Sequence, residues 1–202
     1  MMKTLRSLLV ALAFLGLATA ACAQHKTASV QVNLVATTDT LRGFQLSLLN
    51  AANRTYGVQL SPLVNVSRHL QGVQIGSMGN MATGSMKGVQ LSAVNNMAGD
   101  VRGGLQLSAL TNVSTGCMRG MQLGAYNYAD SLRGLQLGLV NIAVSHPRGV
   151  QVGLINYTRD ADMRKVGLIN IDPNTRIDVL AFGGNTSKLN TALRFRHRST
   201  YS

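Results

Sequence analysis

Apolar and polar positions alternate along most of this chain in a unit that reads Gly-apolar-Gln-apolar-Ser/Gly-apolar-apolar-Asn, followed by a polar tail of variable length. Eight glutamines, Gln45, Gln59, Gln74, Gln90, Gln106, Gln122, Gln136 and Gln151, each follow a Gly-x step. Five or six residues after each comes an asparagine, in the series Asn50, Asn65, Asn80, Asn95, Asn112, Asn127, Asn141 and Asn156, which Asn170 closes. The asparagines recur at intervals of 14 to 17 residues. A unit this short cannot bury a core alone, so stability comes from stacking neighbours, and the pattern predicts a repeat architecture.

Within Gly134 to Ile142 the alternation is clean up to Leu137 and slips at Gly138, where Leu139 and Val140 are both apolar. The slip predicts a corner between two short strand arms, because a small residue tolerates the bend. Polar tails such as Ser145-His146-Pro147-Arg148 then supply the turn into the next unit, and tail length absorbs the variation in period. In a parallel stack equivalent residues lie over one another at about 4.8 Å, so amide side chains can bond up and down a column. An antiparallel meander places each residue opposite a different unit position and gives no reason to keep two amide series in step.

The expected fold is therefore all-β: a parallel β-solenoid of about nine short coils over residues 42–172, with both amide series as structural ladders. An antiparallel β-meander or barrel is the alternative, since strands of about ten residues separated by turns also mark a membrane barrel. Against it, the chain has no Trp, and Phe44, Tyr56, Tyr126, Tyr128 and Tyr157 do not form two aromatic girdles. Residues 173–202 read differently. Two alternating runs around Gly183-Gly184-Asn185-Thr186-Ser187 predict a C-terminal β-hairpin, which by itself is marginal in water.

The first residues change the setting. Lys3 and Arg6 precede an apolar run from Leu8 to Leu17 and small residues ending Ala21-Cys22-Ala23, which reads as a secretory signal peptide over residues 1–23. The run is too short to span a bilayer as a helix. Cys22 offers a rival reading as a lipoprotein cysteine, but Thr19 stands where such signals usually carry leucine. Residues 24–41 form a lead-in segment, and the expected location is the periplasm, outer membrane or cell surface. Without the leader, Cys117 is the one cysteine left and no intramolecular disulfide can form.

Charge bears on partners. Beyond the leader, 17 basic residues face seven aspartates and no glutamate. A basic protein outside the cytoplasm is not expected to meet nucleic acid, whereas anionic envelope glycans, lipopolysaccharide phosphates or anionic headgroups would suit it. Arg42, Lys87, Arg102, Arg119, Arg133 and Arg148 stand just before repeat glycines, or within two residues of one, and stacking would bring them into a candidate polyanion stripe; Arg164 with Lys165 follows, slipped by one. The plainer reading is that each cation hydrates a turn or pairs with a tail aspartate.

Catalytic candidates are thin. His25, His69, His146 and His197 lack the paired spacing of a metal site. Asp100, Asp130 and Asp160 fall in tails, and Asp160 with Asp162 is the one close carboxylate pair, far short of an acidic ligand in every turn. Neither an enzyme nor a cofactor is expected, and the likeness to β-helical polysaccharide lyases is one of fold alone. Asn-x-Ser/Thr triplets at Asn53, Asn65, Asn112 and Asn185, and Asp-Ser/Thr-apolar triplets at Asp39 and Asp130, match glycosylation acceptors at the level of chance.

The repeated unit, most regular at Gly134 to Asn141 and Gly149 to Asn156, resembles the surface-repeat proteins of Gram-negative bacteria over about residues 42–172. That family brings no assigned biochemical role. Asn170 to Arg176, Phe182 to Thr186 and Arg194-Phe195-Arg196 look like the junction in longer members, where an outer-membrane β-barrel follows the array. The resemblance implies an exported, non-catalytic envelope protein, structural or interacting; the alternatives are a fragment of an outer-membrane barrel protein and a glycan-active β-helix enzyme.

Overall fold

The computed structural model describes residues 25–145, 148–160, 163–173, 175–184 and 187–197, with side-chain surroundings only up to Pro173. The signal-peptide reading, Cys22, His146 and Asp162 lie outside the described residues. Eleven strands follow one another: β1 (His25–Ser61), β2 (Val64–Gly76), β3 (Gly79–Ser92), β4 (Asn95–Ser108), β5 (Thr111–Leu123), β6 (Tyr126–Ala143), β7 (Val150–Thr158), β8 (Arg164–Val166), β9 (Ile169–Ile171), β10 (Thr175–Gly184) and β11 (Ser187–His197). Strands β1 to β8 pair in chain order, β9 also pairs with β7, and these pairings between strands are parallel. The array is a β-solenoid of about eight turns, and the meander and barrel alternatives fall for it. Strands β10 and β11 form a separate antiparallel hairpin.

Three features recur from coil to coil. Pairing breaks just after the Ser/Gly position, at Pro62-Leu63, Ser77-Met78, Ala93-Val94, Ala109-Leu110 and Gly124-Ala125. The register shifts in the tails, after Ser67, Ala82, Ala98 and Ser114, and there the extra residues of longer coils are accommodated. The third is the glycine column. A Cβ on Gly57 would lie 2.0 Å from the carbonyl oxygen of Gly43, and its φ of +151° is a conformation that L side chains rarely adopt. Most of each tail stays in the sheet; Arg54, Thr55 and Tyr56 pair with His69, Leu70 and Gln71.

The interior is divided between amides and apolar groups. Gln45 to Gln151 are fully buried, each donating from Nε2 to Oε1 of the preceding glutamine at 2.7 to 2.9 Å. The column starts earlier than expected, because Gln31, in the segment read as a lead-in, accepts from Gln45. Across from the amides run Leu70, Met86, Val101, Met118 and Leu132, packed with Ala82, Ala98, Ala129 and Ala143.

The asparagine column needs one correction. Asn80 donates to Asn96, and Asn96 to Asn112, at 2.9 and 3.0 Å, so Asn96 and not Asn95 occupies the rung. Asn95 lies one residue earlier, pairs with Gly79 and Thr111, and accepts a bond from Thr111 Oγ1. Strand alternation turns neighbouring side chains to opposite faces, so only one of the two can point inward.

Candidate functional site

The amide columns come first, because they decide what is left to interact. Asn50, Asn65, Asn80, Asn96, Asn112, Asn127, Asn141 and Asn156 each donate to the next asparagine toward the C terminus. Each also donates to a backbone carbonyl of the next coil, from Leu60 to Val166, at 2.7 to 3.0 Å. Glutamines from Gln74 onward add a bond to a carbonyl of their own coil, such as that of Tyr128 at 3.0 Å from Gln122. A carbonyl only accepts, so these bonds fix which end of each amide is nitrogen. The glutamine column therefore points its donors toward the N terminus and the asparagine column toward the C terminus, so their dipoles oppose.

The glutamine column ends in an ion pair. Lys165 pairs in register with Gln151 and takes the place of the next glutamine, yet its Nζ turns to Asp172 Oδ2 at 2.6 Å. Both side chains are buried, at 7% and 0% exposure. Gln151 Oε1 is left buried with no bonding partner. Lys165 is thus an interior terminator and no part of a surface stripe. Its place 14 residues after Gln151 is visible in the sequence.

Among the described residues the interior is taken up by the two amide columns, the apolar cluster, small hydroxyl side chains and the Lys165–Asp172 pair. Among the described residues no three His, Cys, Asp or Glu side chains gather where a metal ion could bind. His69 is exposed, with Nδ1 3.0 Å from Ser85 Oγ on the next coil. The tail aspartates serve neighbouring coils. Asp39 accepts from Asn53, Asp100 from the Cys117 backbone N–H, and Asp130 from Ser145, each at 3.0 Å. Asp160 donates its backbone N–H to Thr158.

The outer surface carries the other charged groups. Of the expected stripe, Arg42, Lys87, Arg102, Arg119, Arg133 and Arg148 are all exposed. Arg119 and Arg133 are in register, but Lys87 pairs with Gln71, and the rung after Arg42 is Tyr56, whose ring lies 5.8 Å from the Arg42 guanidinium carbon. Gly103 is an extra residue between Arg102 and the column glycine Gly104, which shifts Arg102 along the strand. Arg119 and Arg133 thus form the one cationic pair of the stripe in register, with Lys87 and Arg148 near them and Arg102 displaced.

Beside it runs a feature that the sequence reading did not single out. With Gln and Asn turned inward, the apolar residues flanking each glutamine face out and are half-buried or exposed, as in Val58 with Leu60 or Leu105 with Leu107. Leu63, Met78, Val94, Leu110, Leu139 and Leu154 stand exposed at the corner that follows. A groove of about 580 Å³ runs along this side over Leu46, Leu60, Ile75 and Leu91. The period-two alternation already held this signal, but the usual expectation that apolar side chains point inward hides it.

The class defined by these observations is a parallel β-solenoid with an amide-lined interior and an apolar, cation-edged exterior. No protein-family model, curated protein or solved structure matches the chain.

Proposed function

We propose that this chain is an exported, non-catalytic repeat protein of the Gram-negative cell envelope whose solenoid serves as an interaction surface for an anionic partner. One observation carries the reading: the buried glutamines and asparagines are bonded to one another along two columns, while the outer face repeats apolar groups on successive coils with exposed cations beside many of them. A repeated outer face suits an extended partner, and the leader sequence and the resemblance to surface-repeat proteins point to the envelope. Envelope glycan and lipopolysaccharide are both anionic enough to meet the cationic column.

Cell fractionation tests this. Cells making the full chain are separated into cytoplasmic, periplasmic and membrane fractions, and the membranes are washed with alkali. Recovery in the periplasm, or release from membranes by the wash, is expected; retention in the cytoplasm would overturn the reading. The antiparallel hairpin β10–β11 favours a second reading, a portion of an outer-membrane barrel protein, for which the chain would resist the wash.

A further inference from the structure

We infer that the partner is a bilayer leaflet rich in anionic lipid, met by the side of the solenoid that carries the Gly-apolar-Gln-apolar step. This deepens the envelope reading and rests on it. The columns through Val58 and Leu60, with the corner column through Leu110, extend over about eight coils. At the spacing and rise of β-strands that is roughly 30 Å by 13 Å, or about 400 Å² of outward apolar surface, a size at which such patches mark binding sites. Met78, Leu110 and Leu139 at the corner are 55%, 53% and 55% exposed, so among the described residues none covers the face.

Charge decides between occupants. Exposed Arg42, Lys87, Arg119, Arg133 and Arg148 stand two residues before the first apolar column, about 7 Å along the strand, with Tyr56 and Gln71 on the rungs between Arg42 and Lys87. An apolar face edged by Lys and Arg is the arrangement of interfacial amphipathic elements, with the apolar side in the acyl boundary and the cations at headgroup phosphates. A soluble glycan would satisfy the cations and leave the apolar columns in water. A bilayer answers both.

The test is co-sedimentation of the full chain with phosphatidylglycerol and with phosphatidylcholine vesicles, at low and high salt. Because the run Leu8 to Leu17 is itself apolar, the readout is the difference between variants that share it. Salt-sensitive binding to the anionic vesicles is expected. Arg119→Gln with Arg133→Gln should weaken it about fivefold per arginine, and Leu110→Asp with Leu139→Asp should abolish it while far-UV circular dichroism stays unchanged. Any of three results would overturn the inference. These are equal binding to neutral vesicles, binding indifferent to both variant pairs, and a dimer that buries the face and excludes vesicles. Dextran sulfate binding as tight as vesicle binding would likewise move the partner from lipid to glycan. A chain found in the envelope fraction that ignores vesicles would leave the envelope reading standing and remove only the lipid.

Discussion

Asn127→Leu probes the asparagine column at its middle. Asn127 is fully buried, accepts from Asn112 Nδ2 at 2.9 Å, and donates to Asn141 Oδ1 at 2.9 Å and to the carbonyls of Leu137 and Gly124. Leucine has the same branched shape, is bulkier at its two methyl groups and has no polar atom, so it leaves Asn141 Oδ1 without its donor and Asn112 Nδ2 without one of its two acceptors. Each stranded group costs about 1–3 kcal/mol, and added apolar burial returns about 1 kcal/mol. A net loss of about 2–4 kcal/mol is expected. Asn50→Leu at the start of the column strands only Asn65 Oδ1, since Ser47 Oγ, which bonds Asn50, keeps the Leu49 carbonyl as acceptor. Its loss should be about half as large. Urea unfolding followed by far-UV circular dichroism measures both, with the slopes compared as well as the midpoints, because repeat arrays can unfold in parts. Equal midpoints for the two variants would refute the column as a source of stability.

Three further outcomes follow from the packing. Gly120→Ala places a Cβ 2.0 Å from Gly104 O at a φ of +141°, whereas Gly103→Ala meets nothing within 4 Å and bears only the strain of its φ of +151°; thermal melts should show a loss of about 1–2 kcal/mol for the second and a much larger one for the first. Lys165→Gln removes the ammonium partner of the buried Asp172 and should cost about 3 kcal/mol even though the new amide can donate to Gln151 Oε1, while Lys165→Gln with Asp172→Asn should recover part of it, because the carboxylate charge then leaves together with its ammonium. Arg119 and Arg133 repel each other in register, so Arg133→Gln should stabilise by about 0.3 kcal/mol at low salt, a gain that 0.5 M salt, about 4 Å in screening length, should erase in the same melts.

The rod, its parallel stacking and its two amide columns were legible in the residues alone. A side chain that must bond its own kind one coil away recurs at the coil length, and a glycine recurs where the backbone of the previous coil leaves no room for a Cβ. The C-terminal hairpin is a local pattern of the same sort. What needed the tertiary structure was the phase of the pattern, which face of each strand turned inward. Asn95 and Asn96 differ by one residue in sequence and by a whole face in the sheet. Spacing tolerates that one-residue ambiguity, but the ladder geometry does not. Lys165 reads as one more basic residue until its register with Gln151 puts it in the interior beside Asp172. The apolar residues around each glutamine read as core until the amides take the inside. That exchange depends on the amides satisfying one another along the stack, and only the assembled coils bring those partners together.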